Sequence, residues 1–165
     1  MPRESLEQLY KAQLRDLYSA ENQILKALPT MAEKASHPGL RTAFQDHLRQ
    51  TEQHVQRLQR VFDMLGERPG GERCKGIEGV LDEAKDTMKQ FDDTDVRDAA
   101  MIAMAQRVEH YEMAGYGCVR TYANELGLGE QEQLLQQTLN EEGETDHKLT
   151  ALAEEVVNVD ALKPA

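Results

Sequence analysis

The chain has 165 residues, enough for one domain with a hydrophobic core, and we predict a single domain over residues 1–165. Its formal net charge is −11, which argues against binding nucleic acid or an anionic membrane through a general basic surface. Leu, Ala, Glu, Gln and Arg are abundant while runs of Val, Ile and Thr are absent, so the composition predicts an all-α protein.

The first half of the chain is predicted to form two long helices. The period of the apolar residues predicts a helix over residues 5–28, which Pro29 ends or kinks. A second helix is predicted over residues 40–65, and Gly66 is a natural end for it. The short segment between them predicts that these two helices pair as a hairpin.

The second half is predicted to repeat this arrangement after a long connection. Residues 66–71 have the composition of a loop, and a shorter helix is predicted over residues 77–90. Two further long helices are predicted over residues 96–125 and 130–157, with Asp95 as the N-cap of the first. Two helical hairpins joined by a long crossover form a ferritin-like four-helix bundle, so we predict that fold with a short extra helix in the crossover.

Several acidic residues occupy the apolar stripes of these helices, where Leu or Ala is expected. They are Glu21, Glu109, Glu112, Glu142 and Asp146. Carboxylates are almost never fully buried unless they are paired or bind a metal. The helix over residues 40–65 adds His47 and His54, seven residues apart on one face, with Thr51 between them. The pattern therefore predicts a carboxylate-lined metal site inside the bundle.

Mixed carboxylate and imidazole ligands suit iron or manganese ions. In bundles that bind two such ions, two helices each supply one Glu and the other two each supply a Glu-x-x-His pair. This sequence departs from that pattern, because Thr51 stands at the Glu position before His54 and Thr145 stands where a second His would fall. Each candidate residue taken alone also fits a solvated helix face or a hydrogen-bonded histidine. A metal-free bundle with hydrogen-bonded acids is therefore the alternative.

The two cysteines, Cys74 and Cys118, lie in different predicted segments and form no CxxC motif. We expect free thiols in a reducing compartment. No signal peptide and no membrane-spanning apolar run is visible, so we expect a cytoplasmic protein. Cys74 lies between Arg73 and Lys75 and is expected to be the more reactive thiol, whereas Cys118 is expected to be packed among apolar residues.

Several segments resemble the YciE/YciF family of ferritin-like, rubrerythrin-like stress proteins of bacteria. They include Asp-Leu-Tyr-Ser-Ala-Glu-Asn-Gln at 16–23, Cys-Lys-Gly-Ile-Glu-Gly at 74–79 and Val-Glu-His-Tyr-Glu at 108–112, together with 27–29, 47–48, 96–100, 116–117 and 145–149. The segments follow the family's order and span nearly the whole chain. The resemblance implies a four-helix bundle with an extra crossover helix, a homodimer, and a role in osmotic or general stress responses.

The resemblance also implies a set of metal ligands, by similarity to rubrerythrin-like bundles. They are Glu21, His54, Glu109, Glu112, Glu142 and, near the expected position of a histidine, Asp146. Glu21 and Glu112 are the expected bridging ligands. Gln50 stands where the family often places a glutamate, and the missing charge is expected to weaken the binding of a second ion. The expected function is a stress-response protein with an iron or manganese site, dinuclear and reactive toward peroxide or dioxygen. The alternative is a metal-free structural or interaction protein without catalytic activity.

Overall fold

A computed structural model describes residues 4–163, and no strand occurs in that range. The helices are α1 (Leu6–Lys34), α2 (Pro38–Leu65), α3 (Lys75–Lys89), α4 (Thr94–Glu125) and α5 (Gly129–Leu152). A π-helical turn, Ala153–Val157, and a last turn, α6 (Asn158–Ala161), continue α5. Residues 1–3 and 164–165, the two ends of the predicted domain, lie outside the described residues. The all-α prediction is confirmed.

The four long helices surround one axis. Helices α1 and α2 pack as one hairpin and α4 and α5 as the other, while α1 also contacts α4 and α2 also contacts α5. The crossover helix α3 packs on α1 and α4. This arrangement confirms the ferritin-like bundle with an extra helix in the crossover. Within the described residues, no helix is long and apolar enough to cross a membrane.

Two of the predicted helix ends differ from the structure by more than two residues. Helix α1 continues through Pro29 to Lys34, so the predicted end at residue 28 is wrong. Proline lacks the N–H of one backbone hydrogen bond, but Met31 and Ala32 beyond it are buried in the core and stabilise the last turns. At the other end of the chain, helical structure extends past residue 157 through α6.

The start of α4 also differs from the prediction. The helix begins at Thr94, and its N-cap is Asp93 rather than Asp95. The Asp93 carboxylate accepts hydrogen bonds from the backbone N–H groups of Asp95 and Val96, at 3.0 and 2.9 Å. An N-cap satisfies backbone donors that have no helical acceptor, so the cap fixes where the helix starts.

Asp98, in the first turns of α4, connects that helix to the α1–α2 loop. Its side chain is buried. Its carboxylate accepts hydrogen bonds from the backbone N–H groups of Ser36 and His37, at 3.0 and 2.6 Å. The loop donors are thereby satisfied by a different helix, which ties the two hairpins together.

The apolar core consists of two clusters with a polar layer between them. One cluster lies toward α3 and includes Ile24, Phe44 and Met101; the other includes Leu14 and Leu58. Each long helix passes from one cluster to the other. The polar layer lies at this crossing point. It contains residue 21 of α1, residues 47–54 of α2, residues 109–112 of α4 and residue 142 of α5. Packing of the two apolar clusters therefore brings these polar positions to one level of the bundle.

Both cysteines are free thiols, in surroundings opposite to those expected. Cys74 is fully buried, and its sulfur lies 3.3 Å from Asp16 Oδ2 and 3.1 Å from the Tyr111 hydroxyl. Burial raises the pKa of the Cys74 thiol, so the expected reactivity is wrong. The neighbouring Arg73 pairs with an acid on α3 instead. Cys118 is exposed rather than packed.

Candidate metal centre

The polar layer contains six side chains, from four helices, of the types that can ligate a metal. They are Glu21 of α1, His47 and His54 of α2, Glu109 and Glu112 of α4, and Glu142 of α5. Every one of them is at most 3% exposed. Helical geometry brings them inward, because residues three, four or seven apart lie on one face of a helix.

The threonine between the two histidines has its own hydrogen bond. The Thr51 hydroxyl is fully buried and donates to the backbone carbonyl of His47, at 2.9 Å. Because this bond stays within α2, the hydroxyl does not compete for the two imidazole rings. Helix α2 therefore presents two histidines and no carboxylate to the centre of the bundle.

The six side chains form two groups that share one carboxylate. His47, Glu109, Glu112 and Glu142 form the first group, and Glu21, His54 and Glu142 form the second. Within each group, one ligand atom from every residue lies within 4.8 Å of the others. Glu142 belongs to both groups, whereas Glu21 and Glu112, the expected bridging ligands, belong to one group each.

Short distances in this layer are not matched by hydrogen bonds. His47 Nε2 lies 2.9 Å from Glu109 Oε1, and His54 Nδ1 lies 2.9 Å from Glu142 Oε1. Of the twelve side-chain nitrogen and oxygen atoms in the six residues, nine are buried without a hydrogen-bond partner. Buried polar atoms are almost always partnered, so this concentration is unusual. Ligand atoms that converge in this way fit a cation that they would all contact, and the cluster could bind a metal.

The second nitrogen of His54 is held from outside the layer. His54 Nε2 lies 2.9 Å from Glu141 Oε2, and Arg57 donates two hydrogen bonds to the same carboxylate, at 2.7 and 2.8 Å. Although burial alone raises the pKa of Glu141, the hydrogen bonds from Arg57 and His54 lower it overall. An ionised Glu141 accepts a hydrogen bond from the Nε2–H group and leaves Nδ1 facing Glu21 and Glu142.

Glu21 has a comparable contact on α4. The Tyr116 hydroxyl donates to Glu21 Oε1 at 2.5 Å, and both side chains are buried. Burial, followed by the charges of Glu21 and Glu112, raises the pKa of this phenol well above its usual value. Tyr116 therefore remains a donor, and it fixes the orientation of the Glu21 carboxylate.

Burial and mutual repulsion shift the acids of the layer toward their protonated forms. Burial raises the pKa of Glu109 and of Glu142 to about 7, and it raises the pKa of Glu112 well above 4.5 with added repulsion from Glu142. Burial alone would lower the pKa of His54, but contacts with Glu142 and Glu21 raise it to about 10. Burial lowers the pKa of His47. A bound cation would compete with these protons.

Five of the six predicted ligands converge in the structure. The sixth, Asp146, is half-buried, lies outside both groups and approaches His110 Nε2 through its Oδ2, at 3.2 Å. Gln50 also lies outside them and accepts a hydrogen bond from the Thr145 hydroxyl, at 3.1 Å. The residue left out of the predicted ligand set is His47. Its spacing of four and seven residues from Thr51 and His54 is the sequence signal for it.

The ligand inventory matches that of a dinuclear bundle site in number but not in distribution. The known arrangement uses four glutamates and two histidines, with one histidine on each of two helices. Here the four glutamates are spread over α1, α4 and α5, and both histidines come from α2. The protein therefore retains the ligand types without any Glu-x-x-His pair facing the centre.

The fold and this cluster together define a ferritin-like helical bundle with a buried carboxylate and histidine site that could bind a metal. The chain belongs to the DUF892 family, described as a domain of unknown function, which matches residues 5–162. It is 39% identical over 159 residues to protein YciF of Escherichia coli K12, and the match covers 96% of each chain. The resemblance seen in the sequence is thereby confirmed.

Solved structures agree with this assignment. The crystal structure of the E. coli stress protein YciF superposes with a TM-score of 0.90 at 39% identity, covering 94% of this chain and 99% of that one. YcfI of Rhodopseudomonas palustris, for which a structural role has been suggested, gives a TM-score of 0.87 at 41% identity, covering 91% and 97%. A protein of Xanthomonas campestris at 20% identity shares the fold, with a TM-score of 0.77 over 94% and 95% of the two chains.

Proposed function

We propose that the buried cluster binds two divalent ions, of iron or manganese. The observation that carries this proposal is the set of nine buried ligand atoms without hydrogen-bond partners. Four carboxylates can balance the charge of two divalent ions, which a buried site requires. The mixture of carboxylate and imidazole ligands suits these two metals.

The two ions should bind with unequal affinity. The first group supplies four protein ligands and the second supplies three, with Glu142 common to both. In the second group, Glu21 Oε1 also accepts the hydrogen bond from Tyr116. The ion between Glu21, His54 and Glu142 therefore has fewer ligands and should be the weaker one.

We further propose a role in stress responses. The relative YciF of E. coli is described as a stress protein, and we extend that description to this chain. Iron or manganese at such a site supplies redox chemistry toward dioxygen or hydrogen peroxide. The protein residues orient and insulate the centre, since all six candidate ligands are buried. A homodimer and a cytoplasmic location stay predictions.

A metal-free structural protein is the second candidate. Two short contacts favour it, because His47 approaches Glu109 and His54 approaches Glu142, each at 2.9 Å, so that proton sharing could neutralise the acids. The structural role suggested for YcfI of R. palustris points the same way. In this case the acids would contribute to folding rather than to metal binding.

Anaerobic titration with Fe(II) or Mn(II), monitored by calorimetry, distinguishes the metal-binding protein from the metal-free structural protein. Protein purified without chelator should bind two ions, one more tightly than the other. Glu112→Gln removes a ligand charge and should weaken the tighter ion by roughly tenfold or more. The matched control is Glu125→Gln, the same change at an exposed position of α4, which should leave binding unchanged.

The stability of the metal-free variants completes the test. Glu142 and Glu21 repel a negative charge on Glu112, so Glu112→Gln should leave the melting temperature of the metal-free protein unchanged or higher. A strong loss of stability, together with no metal bound by the wild type, would support the structural candidate and overturn the metal site.

A further inference from the structure

An apolar cavity lies beside the centre, on the side toward α3. All four long helices and α3 contribute to its wall. About 20 Å³ is available to the centre of a water-sized sphere, and one water needs roughly 10–15 Å³ by that measure. Ten of its thirteen lining residues are apolar, including Ile24, Phe44 and Val108. The cavity therefore has room for one small molecule.

The polar part of the wall is limited to three residues: His47, Glu109 and Thr145. His47 and Glu109 belong to the first ligand group. The Thr145 hydroxyl already donates its proton to Gln50, at 3.1 Å. A buried water needs two to four polar partners, and hydrogen peroxide has similar needs. Once the proposed ion engages His47 and Glu109, the wall offers only the Thr145 hydroxyl, so it favours an apolar occupant.

A surface groove between α1 and α3 adjoins the cavity. The groove has a volume of about 350 Å³, and charged residues of both helices border it. Ala27, Met31 and Leu81 line both the groove and the cavity. Rotation of the Met31 and Leu81 side chains, beside the small Ala27, would connect the bundle surface with His47 and Glu109.

We propose that this cavity admits dioxygen from the α1–α3 groove to the His47 and Glu109 side of the centre. Dioxygen is small, uncharged and apolar, and it needs no hydrogen-bond donor from the wall. The purpose of this route rests on the proposed function, because the delivered molecule would meet metal ligands. The entry of dioxygen is nevertheless a property of the polypeptide, and it is measurable on the metal-free protein.

Methyl NMR of the full metal-free chain under dissolved dioxygen provides the test. Dioxygen is paramagnetic, so it speeds the relaxation of nuclei beside which it resides. The methyl groups of Ile24, Leu28 and Leu149, which line the cavity, should show several-fold larger enhancements than those of Leu14 and Leu58. The last two are equally buried in the other apolar cluster and serve as internal controls. Equal enhancement in both sets would overturn the proposal.

A pair of variants tests the route. Ala27→Leu adds bulk where the groove and the cavity meet and should abolish the excess enhancement. Ala12→Leu makes the same change at another half-buried position of α1, away from the cavity, and should retain it. Persistence of the excess in Ala27→Leu would overturn the route. The wild-type comparison stands even if this variant does not fold, and it stays independent of the metal titration.

Discussion

The imidazole of His54 has its two nitrogens in different surroundings. Nδ1 faces Glu21 and Glu142, at 3.3 and 2.9 Å, while Nε2 faces Glu141, which Arg57 holds by two hydrogen bonds. A carboxylate behind a metal-bound histidine fixes its tautomer and raises its basicity. With an ion bound at His54, Glu141 would therefore act as a positioning residue, although it lies in an acidic run that looks solvated in the sequence.

Replacing Glu141 should affect one of the two ions. Glu141→Gln removes the charged acceptor for His54 Nε2 and the partner of Arg57. The affinity for the proposed weaker ion, between Glu21, His54 and Glu142, should therefore fall roughly tenfold or more. The proposed tighter ion would contact His47 instead, so the affinity for that ion should be unchanged. Anaerobic calorimetric titration measures both values. Glu144→Gln, at an exposed position of α5, is the control, and an equal loss at both ions would contradict this role for Glu141.

Between elements, Asp98 links α4 to the loop of the first hairpin. Its carboxylate accepts two hydrogen bonds from the loop that joins α1 to α2, although it lies more than 60 residues away in the sequence. The contact sets the position of the first hairpin relative to α4. Because Ser36 and His37 donate from the backbone, the link does not depend on their side chains.

Loss of this link should destabilise the bundle measurably. Asp98→Ala leaves the backbone N–H groups of Ser36 and His37 without their acceptor, and we expect the free energy of unfolding to fall by about 1 to 3 kcal/mol. Urea denaturation followed by circular dichroism measures the change. Asp95→Ala, an exposed substitution in the same turn, should have a much smaller effect. Similar losses in the two variants would show that Asp98 has no special role.

At the scale of the whole molecule, the stability of the metal-free protein should decrease as the pH rises. Between pH 4.5 and 7, folded Glu109 and Glu142 hold protons that the unfolded chain has released. His54 does the same between pH 6.5 and 10, because its pKa is raised on folding. His47 acts in the opposite sense below pH 6.5, because burial lowers its pKa. Glu109 and Glu142 outnumber it, so the native state still binds more protons over both ranges and each pH increase favours unfolding.

Thermal melts between pH 5 and pH 9 measure this slope, with pH limits set by these pKa values. Metal-free wild type should melt at progressively lower temperature as the pH increases. A variant that carries Glu109→Gln and Glu142→Gln should show a flatter slope. Added Mn(II) should stabilise the wild type more at high pH, since ions compete with protons. A melting temperature that is constant or rises with pH would contradict the proton uptake.

The assembly of the molecule is a separate prediction. The resemblance to the YciE/YciF family implies a homodimer, and several large apolar side chains are exposed, including Leu6, Leu9 and Phe91. Light scattering coupled to size exclusion should give twice the mass of 18.7 kDa. A monomer at micromolar concentration would refute it.

The sequence by itself determined the helices and the residues that face inward. Apolar periods of 3.6 residues identify the face of a helix, so they predicted the bundle and placed Glu21, Glu109, Glu112 and Glu142 inside it. They did not predict that α1 continues past Pro29, because burial of later residues outweighs a local preference. An N-cap depends on the hydrogen bonds of one or two atoms. The sequence therefore predicted Asp95 as the N-cap of α4, where the structure has Asp93.

The tertiary structure alone decided how those inward residues combine. The period of the apolar residues shows which face of a helix points inward. It does not show how far along the bundle axis a residue lies relative to residues of the other three helices. Packing of the two apolar clusters sets that level, and it places Glu142 in both ligand groups, brings His47 to Glu109 and leaves Asp146 outside. The contact of Glu141 with His54 spans 87 residues, so no local pattern encodes it.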